Sequence, residues 1–330
     1  MQTEKKTNKI LLKQPIMRRV IIATVPCIFA SIYFFGWRSL AVVLVSCTLG
    51  FLTEYVFVRR RGEPVSEAVF VSAILYALIM PPTVPWHVLI IGIVFAIVFA
   101  KMVFGGFGYN IFNPAMAGRA FVYICFPVAL TSTWSPPAQG PWGALTLWTT
   151  AVRPDVITAA TPMALVKAGQ IAPPPVLDLL IGRISGTMGV TSALAIIIGG
   201  LYLFITRTAN RWIIITVIGV YAILNGLLML LPVSGAPSIL PALLGGGFLF
   251  GAFFMATDPI SAPKLRPAQI IYATIIALST FIIRNFSVFN GGLMFSILLA
   301  NMFAPILDYG FKGRQKKNQE VLSSPEGTAQ

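Results

Sequence analysis

Asp155, Thr158 and Thr161 place one carboxylate and two hydroxyls within a single short stretch, Asp155-Val156-Ile157-Thr158-Ala159-Ala160-Thr161. The stretch ends at a Thr161-Pro162 step, and Met163-Ala164-Leu165-Val166-Lys167 then reads as a helix. Proline suits the first helical position and pushes the residue before it into an extended conformation. Thr161 therefore reads as an N-cap whose hydroxyl faces the positive end of a helix. A phosphate carried on that hydroxyl would meet free N–H groups and a favourable dipole. On local chemistry alone, the plainer reading is a cap and nothing more.

Two other stretches break an otherwise apolar sequence. Gly105-Gly106-Phe107-Gly108-Tyr109-Asn110-Ile111-Phe112-Asn113-Pro114 combines helix breakers with two amides. Irregular backbone at membrane depth is tolerated where protein or a water-filled cavity covers it. Gly108, Asn110 and Asn113 are thus candidates to hold a planar cofactor or an ion. The competing reading is an ordinary turn in which Asn113 caps a helix opened by Pro114. The second break runs from Gly245-Gly246-Gly247 to Thr257-Asp258-Pro259. Asp258, an acid at or near the membrane, is a candidate for ion coupling, with a helix-end carboxylate as the alternative. Glu54 and Asp308 read as span-end acids that snorkel or pair with nearby Arg. Cys27, Cys47 and Cys125 fall inside apolar runs without the spacing of a metal site or a disulfide framework. His87, beside Trp86, reads as an interfacial residue.

The elements that must position these residues are membrane helices. Of the 330 residues 57% are hydrophobic and 10% charged, and the mean hydropathy is +0.84. A soluble domain carries roughly a quarter charged residues. Apolar runs of about 20 residues, long enough to cross a bilayer, recur near 19–36, 39–58, 65–81, 86–104, 114–130, 188–206, 211–231, 237–257, 267–284 and 289–310. The reading is an all-α polytopic membrane protein with about ten transmembrane helices. A short amphipathic segment, 176–187, lies on the membrane before the sixth.

The net charge of +14 is a topology signal and does not call for nucleic acid. With a cytoplasmic N-terminus, ten spans put 19 of the 24 Lys and Arg inside and five outside, as the positive-inside rule requires. Both termini then face the cytoplasm and the Pro-rich loop of about 131–175 faces out. The loop divides the spans five and five, so the second half enters the membrane with opposite polarity, the geometry of an inverted repeat. The expected organisation is 1–130, a cytoplasmic tail and first five-span repeat; 131–187, an external loop with the amphipathic segment; and 188–330, the second repeat and a tail.

Taken together, the three stretches resemble one family. The chain is similar to the D subunit of Rnf-type electron transport complexes and to its homologue, the B subunit of the sodium-pumping NADH:quinone reductase. The resemblance runs from about residue 15 to 311. It is carried by Leu78-Ile79-Met80-Pro81-Pro82, by the Gly-Tyr-Asn-x-Phe-Asn-Pro-Ala stretch at 108–115, by Phe253-Phe254-Met255-Ala256-Thr257-Asp258-Pro259, and by the flavinylation motif Asp-x-x-Ser/Thr-Gly-Ala-Thr, here 155–161. It implies FMN joined to Thr161 by a phosphoester on the outer side, with Asp155, Thr158 and Ala160 completing the motif and Thr158 as the fallback acceptor. It further implies a flavin transferase that makes the bond from FAD, and a second, non-covalent flavin (riboflavin) for which the two Gly-rich breaks are the places to look. The implied partners are the Rnf-type A, B, C, E and G subunits and membrane lipid, in a prokaryotic inner membrane. The implied activity is ferredoxin:NAD oxidoreduction coupled to Na+ or H+ translocation. The family usually has Gly where this chain has Ala159, and Ala resists backbone angles that Gly permits. The length, the short N-terminal tail and Thr161-Pro162 resemble the Rnf-type protein more than the quinone reductase homologue. A non-redox channel or transporter of similar repeat architecture is the competing class.

Overall fold

A computed structural model describes residues 10–132, 134–150, 174–230, 238–287 and 292–323. The first half begins with a two-residue parallel ladder, β1 (Leu11–Leu12) on β2 (Val65–Ser66). Between these strands lie α1 (Pro15–Phe35) and α2 (Arg38–Arg61). After β2 come α3 (Ala68–Leu78), α4 (Trp86–Ile97), which continues as a π-helical turn over Val98–Met102, α5 (Pro114–Cys125) and the short α6 (Pro127–Thr131). The second half runs through α7 (Val176–Ile181), α8 (Ala193–Ile205), α9 (Arg211–Met229), α10 (Ile239–Leu244), α11 (Phe248–Phe250) with a second π turn over Gly251–Met255, α12 (Arg266–Phe286) and α13 (Gly292–Ser323).

The caps follow local chemistry. Asn113 accepts from the Ala115 and Met116 N–H groups, with Pro114 in the first turn. Ser192 caps α8 and Asn210 caps α9. Gly62 closes α2 in the left-handed region after Arg59, Arg60 and Arg61, cations that suit a helix C-terminus.

Among the described residues five helices are long and apolar enough to cross a membrane: α1, α2, α9, α12 and the Gly292–Gly313 part of α13. α3, α4 with its π turn, and α8 are shorter apolar helices. Ten uniform runs of about 20 residues are therefore not what forms. Breakers explain the difference. Pro81 and Pro82 cannot extend α3, and Gly245, Gly246 and Gly247 separate α10 from α11. The amphipathic segment expected at 176–187 is helical only over Val176–Ile181, ending at Gly182 in the left-handed region.

Hydrogen bonds sort the helix ends into two layers. In one, Gln14 and Arg18 at the start of α1 meet Glu67, the residue before α3: the Gln14 N–H donates at 2.6 Å and Arg18 Nε at 2.9 Å. Arg61 reaches the Gly105 carbonyl in the same layer at 3.0 Å. In the other layer the loop after α6 folds over the α1–α2 corner. Trp37 and Arg38 N–H donate to the Leu147 and Trp148 carbonyls at 3.2 and 2.7 Å. Gly36 sits beneath with φ 92°, where a Cβ would press on both of those carbonyls. The Gly189 N–H closes on the Leu78 carbonyl at 2.7 Å, so the second half docks on the broken end of α3.

The halves also share a core. α1 packs along α8, where a Cβ on Gly199 would collide with the Ala23 carbonyl. α12 packs on α9 and α13. Ile22, Phe29, Leu44, Leu52, Ile215, Ile223 and Ile282 are exposed along the long helices. Apolar belts of this kind suit a hydrocarbon surround, and the helices satisfy their own backbone there.

Candidate functional site

The two Gly-rich breaks meet. Asn113, between the first break and α5, donates from Nδ2 to the Met255 carbonyl of the second π turn at 3.3 Å. Its own N–H donates to Asn301 Oδ1 on α13 at 3.2 Å. Asn301 in turn donates to the Ser261 carbonyl at 3.2 Å and to the Tyr272 hydroxyl at 2.9 Å. The Ser261 hydroxyl donates to Asp258 Oδ2 at 2.7 Å. One connected polar network thus links Asn113, Asn301, Ser261 and Asp258 across three parts of the chain. The Asn113 side-chain oxygen caps α5, as the turn reading expects, while its amide nitrogen ties the halves together.

Beside this network, Asn113, Pro114, Thr257, Asp258 and Pro259 line a cavity of about 40 Å³ closed by Val20 of α1 and Leu203 of α8. Ligand pockets for drug-sized molecules run to about 300–1,000 Å³. A cavity this small holds water or a small cation and does not fit an isoalloxazine ring. Asn110 is buried and turns inward on its own loop, donating to the Phe112 carbonyl at 3.1 Å. Gly108 takes φ 93° with open space around it. Neither reaches the Asp258 network through a hydrogen bond given by the geometry.

A second polar group lies at the same end. Lys101, in the first π turn, donates to Glu54 Oε2 at 2.6 Å and to the Ser66 hydroxyl at 2.7 Å. Ser66 donates to Glu54 Oε1 from its N–H at 3.1 Å and from its hydroxyl at 2.8 Å. Both charged side chains are 2% exposed. The expectation that Glu54 pairs with an Arg is corrected: its partner is a Lys buried in an apolar run. Asp308 likewise pairs with no Arg; it accepts the Lys264 and Leu265 N–H groups at 2.9 and 3.1 Å. The signal for Lys101 is present in Phe99-Ala100-Lys101-Met102-Val103, a lone cation among apolar neighbours. Such a residue in a membrane segment seeks a buried partner.

Asp155, Thr158, Ala160 and Thr161 lie outside the described residues. The flanks of their segment are described. Thr150 donates its N–H to the Phe35 carbonyl at 3.3 Å, and its side chain contacts the Ser135 hydroxyl. On the far side α7 packs against α8, with Ser192 donating to the Leu180 carbonyl at 3.3 Å. Both flanks sit in the layer of the α1–α2 corner, opposite the Asp258 and Lys101 groups.

The match to known sequences covers nearly the whole described fold. The model of the NQR2, RnfD, RnfE family matches residues 7–317. The chain belongs to this family. Among its relatives is the D subunit of the ion-translocating oxidoreductase complex of Alcanivorax borkumensis, 35% identical, with 89% of each chain covered. The D subunit of the Na+-translocating ferredoxin:NAD+ oxidoreductase complex of Acetobacterium woodii is 37% identical, covering 91% of this chain and 89% of that one. The B subunit of the Na+-translocating NADH-quinone reductase of Chromohalobacter salexigens is 38% identical over 82% of this chain and 65% of its own. For a member of the NQR2, RnfD, RnfE family, the breaks at 105–114 and 245–259 are thus part of one interior junction.

Proposed function

We propose that this chain is the D subunit of an Rnf-type complex, a multi-pass membrane protein that carries electrons between partners and couples their passage to Na+ or H+ movement. The family match across 7–317 carries this reading, together with the motif 155–161 ending at Thr161. FMN esterified to Thr161 would supply the redox chemistry, and the protein supplies position and surroundings. Thr161 is the tether and Asp155 serves recognition by the flavin transferase. The flanks at Thr150 and Pro174 support placing that tether at one end of the bundle. The A, B, C, E and G subunits are the partners this reading implies. The 38% identity to a homologue from an NADH-quinone reductase supports a second reading, in which quinone replaces ferredoxin and NADH is its redox partner.

The reading includes ten crossings with both termini in the cytoplasm. The alternation of helix ends between the two hydrogen-bonded layers supports it, as does the 19-to-5 charge split. Gln139, exposed in the loop after α6, and Lys312, exposed near the end of α13, test it. Gln139→Cys and Lys312→Cys, in a background lacking Cys27, Cys47 and Cys125, should label from opposite sides with an impermeant thiol reagent. Labelling from one side would require an even number of crossings between them.

Asp258 is the residue proposed for ion coupling. It is held by Ser261 at the edge of the small cavity, where a cation would find oxygen donors. Asp258→Asn keeps shape and hydrogen bonding but removes the charge. The variant should insert and accept flavin as wild type does, while ion-coupled turnover of the assembled complex falls at least tenfold. Unchanged coupled turnover would make Asp258 a bystander, and failure to accumulate would make it a structural cap.

A further inference from the structure

A groove of about 740 Å³ opens between the α8–α9 loop and the start of α12, at the end of the bundle that holds Asp258 and Lys101. Arg207, Arg211, Lys264 and Arg266 line it, with Trp212 and Gln269. Among the described residues none of the four cations has a carboxylate partner. Two are held by other means. Arg211 lies over the Phe204 ring and donates to the Phe204 carbonyl at 2.9 Å. Arg266 lies 5.9 Å from the Trp212 ring centroid. The nearest acid, Asp308, is turned to the Lys264 and Leu265 backbone. With Asp308 beside Lys264, the four cations still leave a net positive charge, so the arrangement favours an anion between them.

Two more observations point the same way. Arg207 has φ 53°, the only non-glycine residue with positive φ among the described residues. It ends α8 where a glycine would be at ease, so the backbone is strained to keep a cation there. Gln269 is 4% exposed, and its Oε1 has no hydrogen-bond partner, although its Nε2 donates to the Pro263 and Lys264 carbonyls. The lining is also continuous with the apolar belt, since exposed Trp212 and Ile215 belong to it. The groove is therefore open to the bilayer at headgroup level, where Trp concentrates.

We propose that this groove binds the phosphate of an anionic phospholipid with a hydroxylated headgroup, drawn from the adjoining leaflet. The guanidinium groups of Arg207 and Arg266 and the Lys264 ammonium surround the phosphate. The proposal rests on the membrane reading of the chain and is independent of flavin on Thr161.

The test uses the full chain, delipidated in a neutral detergent, with bound lipid read by native mass spectrometry and stability by thermal unfolding. Phosphatidylglycerol should be retained and should raise the unfolding midpoint. Phosphatidylcholine and inorganic phosphate at the same concentration should do neither. Each basic side chain near a membrane surface is worth about 1 kcal/mol, roughly fivefold in affinity. Arg207→Gly should thus bind phosphatidylglycerol about fivefold more weakly, with a lipid-free midpoint equal to or above wild type because the strain is relieved. Arg207→Lys should bind as wild type does. The double change Arg207→Gly with Lys264→Gln should lose about 25-fold. Equal retention of phosphatidylcholine, an effect of inorganic phosphate alone, unchanged binding by Arg207→Gly, or displacement of the lipid by an acidic partner protein would each overturn the proposal.

Discussion

Thr161→Ala is expected to abolish covalent flavin outright. Co-expressed with a flavin transferase, the wild-type chain should give a denatured gel band that fluoresces under ultraviolet light. Its peptide containing Thr161 should carry an added FMN mass. The variant should give neither, because alanine offers no hydroxyl oxygen to the phosphoryl group. A capping hydroxyl is worth about 1 kcal/mol to a helix, so even on the cap reading of Thr161 the chain should still accumulate. The loss of flavin then reads as loss of the acceptor. Flavin retained at wild-type level in Thr161→Ala would move the assignment to Thr158. Ala159→Gly restores the residue usual at that place in the family and relaxes the backbone, so it should accept flavin at least as fast as wild type.

The second large effect concerns Glu54 and Lys101. Removing one partner of a buried ion pair typically costs about 3–5 kcal/mol, because the other charge is left uncompensated. Lys101→Met leaves a carboxylate that keeps only the Ser66 donors. It should therefore fall to a small fraction of wild-type accumulation and unfold at a clearly lower temperature. Lys101→Met combined with Glu54→Gln removes both charges and should recover most of the loss. A double variant as poor as the single would mean that the pair stabilises by shape alone. Recovery of stability without recovery of ion-coupled turnover would assign the charges to function as well as to packing.

Much of this is legible in the sequence, and what is not has physical causes. The Asn113-Pro114 start of α5 is readable because a capping amide before proline is a local device. Asp258 stands out as an acid within an apolar run. The junction of the two breaks is not readable, because Asn113 and Met255 are 142 positions apart and neither break specifies the other locally. The Glu54–Lys101 pair escapes for the same reason, and because Lys101 fits the charge count equally well as an inside surface cation. The short helices are overestimated because hydropathy continues through Pro81-Pro82 and the glycines at 245–247, while the backbone does not. The π turn over Val98–Met102 contains neither Gly nor Pro, so nothing in its composition announces it.

The two π turns bear on direction. An inverted copy of the first half would carry its version of the Val98–Met102 turn to the opposite face of the membrane. The turn over Gly251–Met255 instead lies at the same face as the first, joined through Met255 to the residue that opens α5. A symmetric duplicate would present two equivalent polar chambers, one per face, and would have no preferred sense of travel. Among the described residues both irregular turns lie at the end that holds the Asn113–Asp258 network, and the flank of the Thr161 segment lies at the other. The two ends thus offer unlike environments, the kind of polarity that vectorial transport requires.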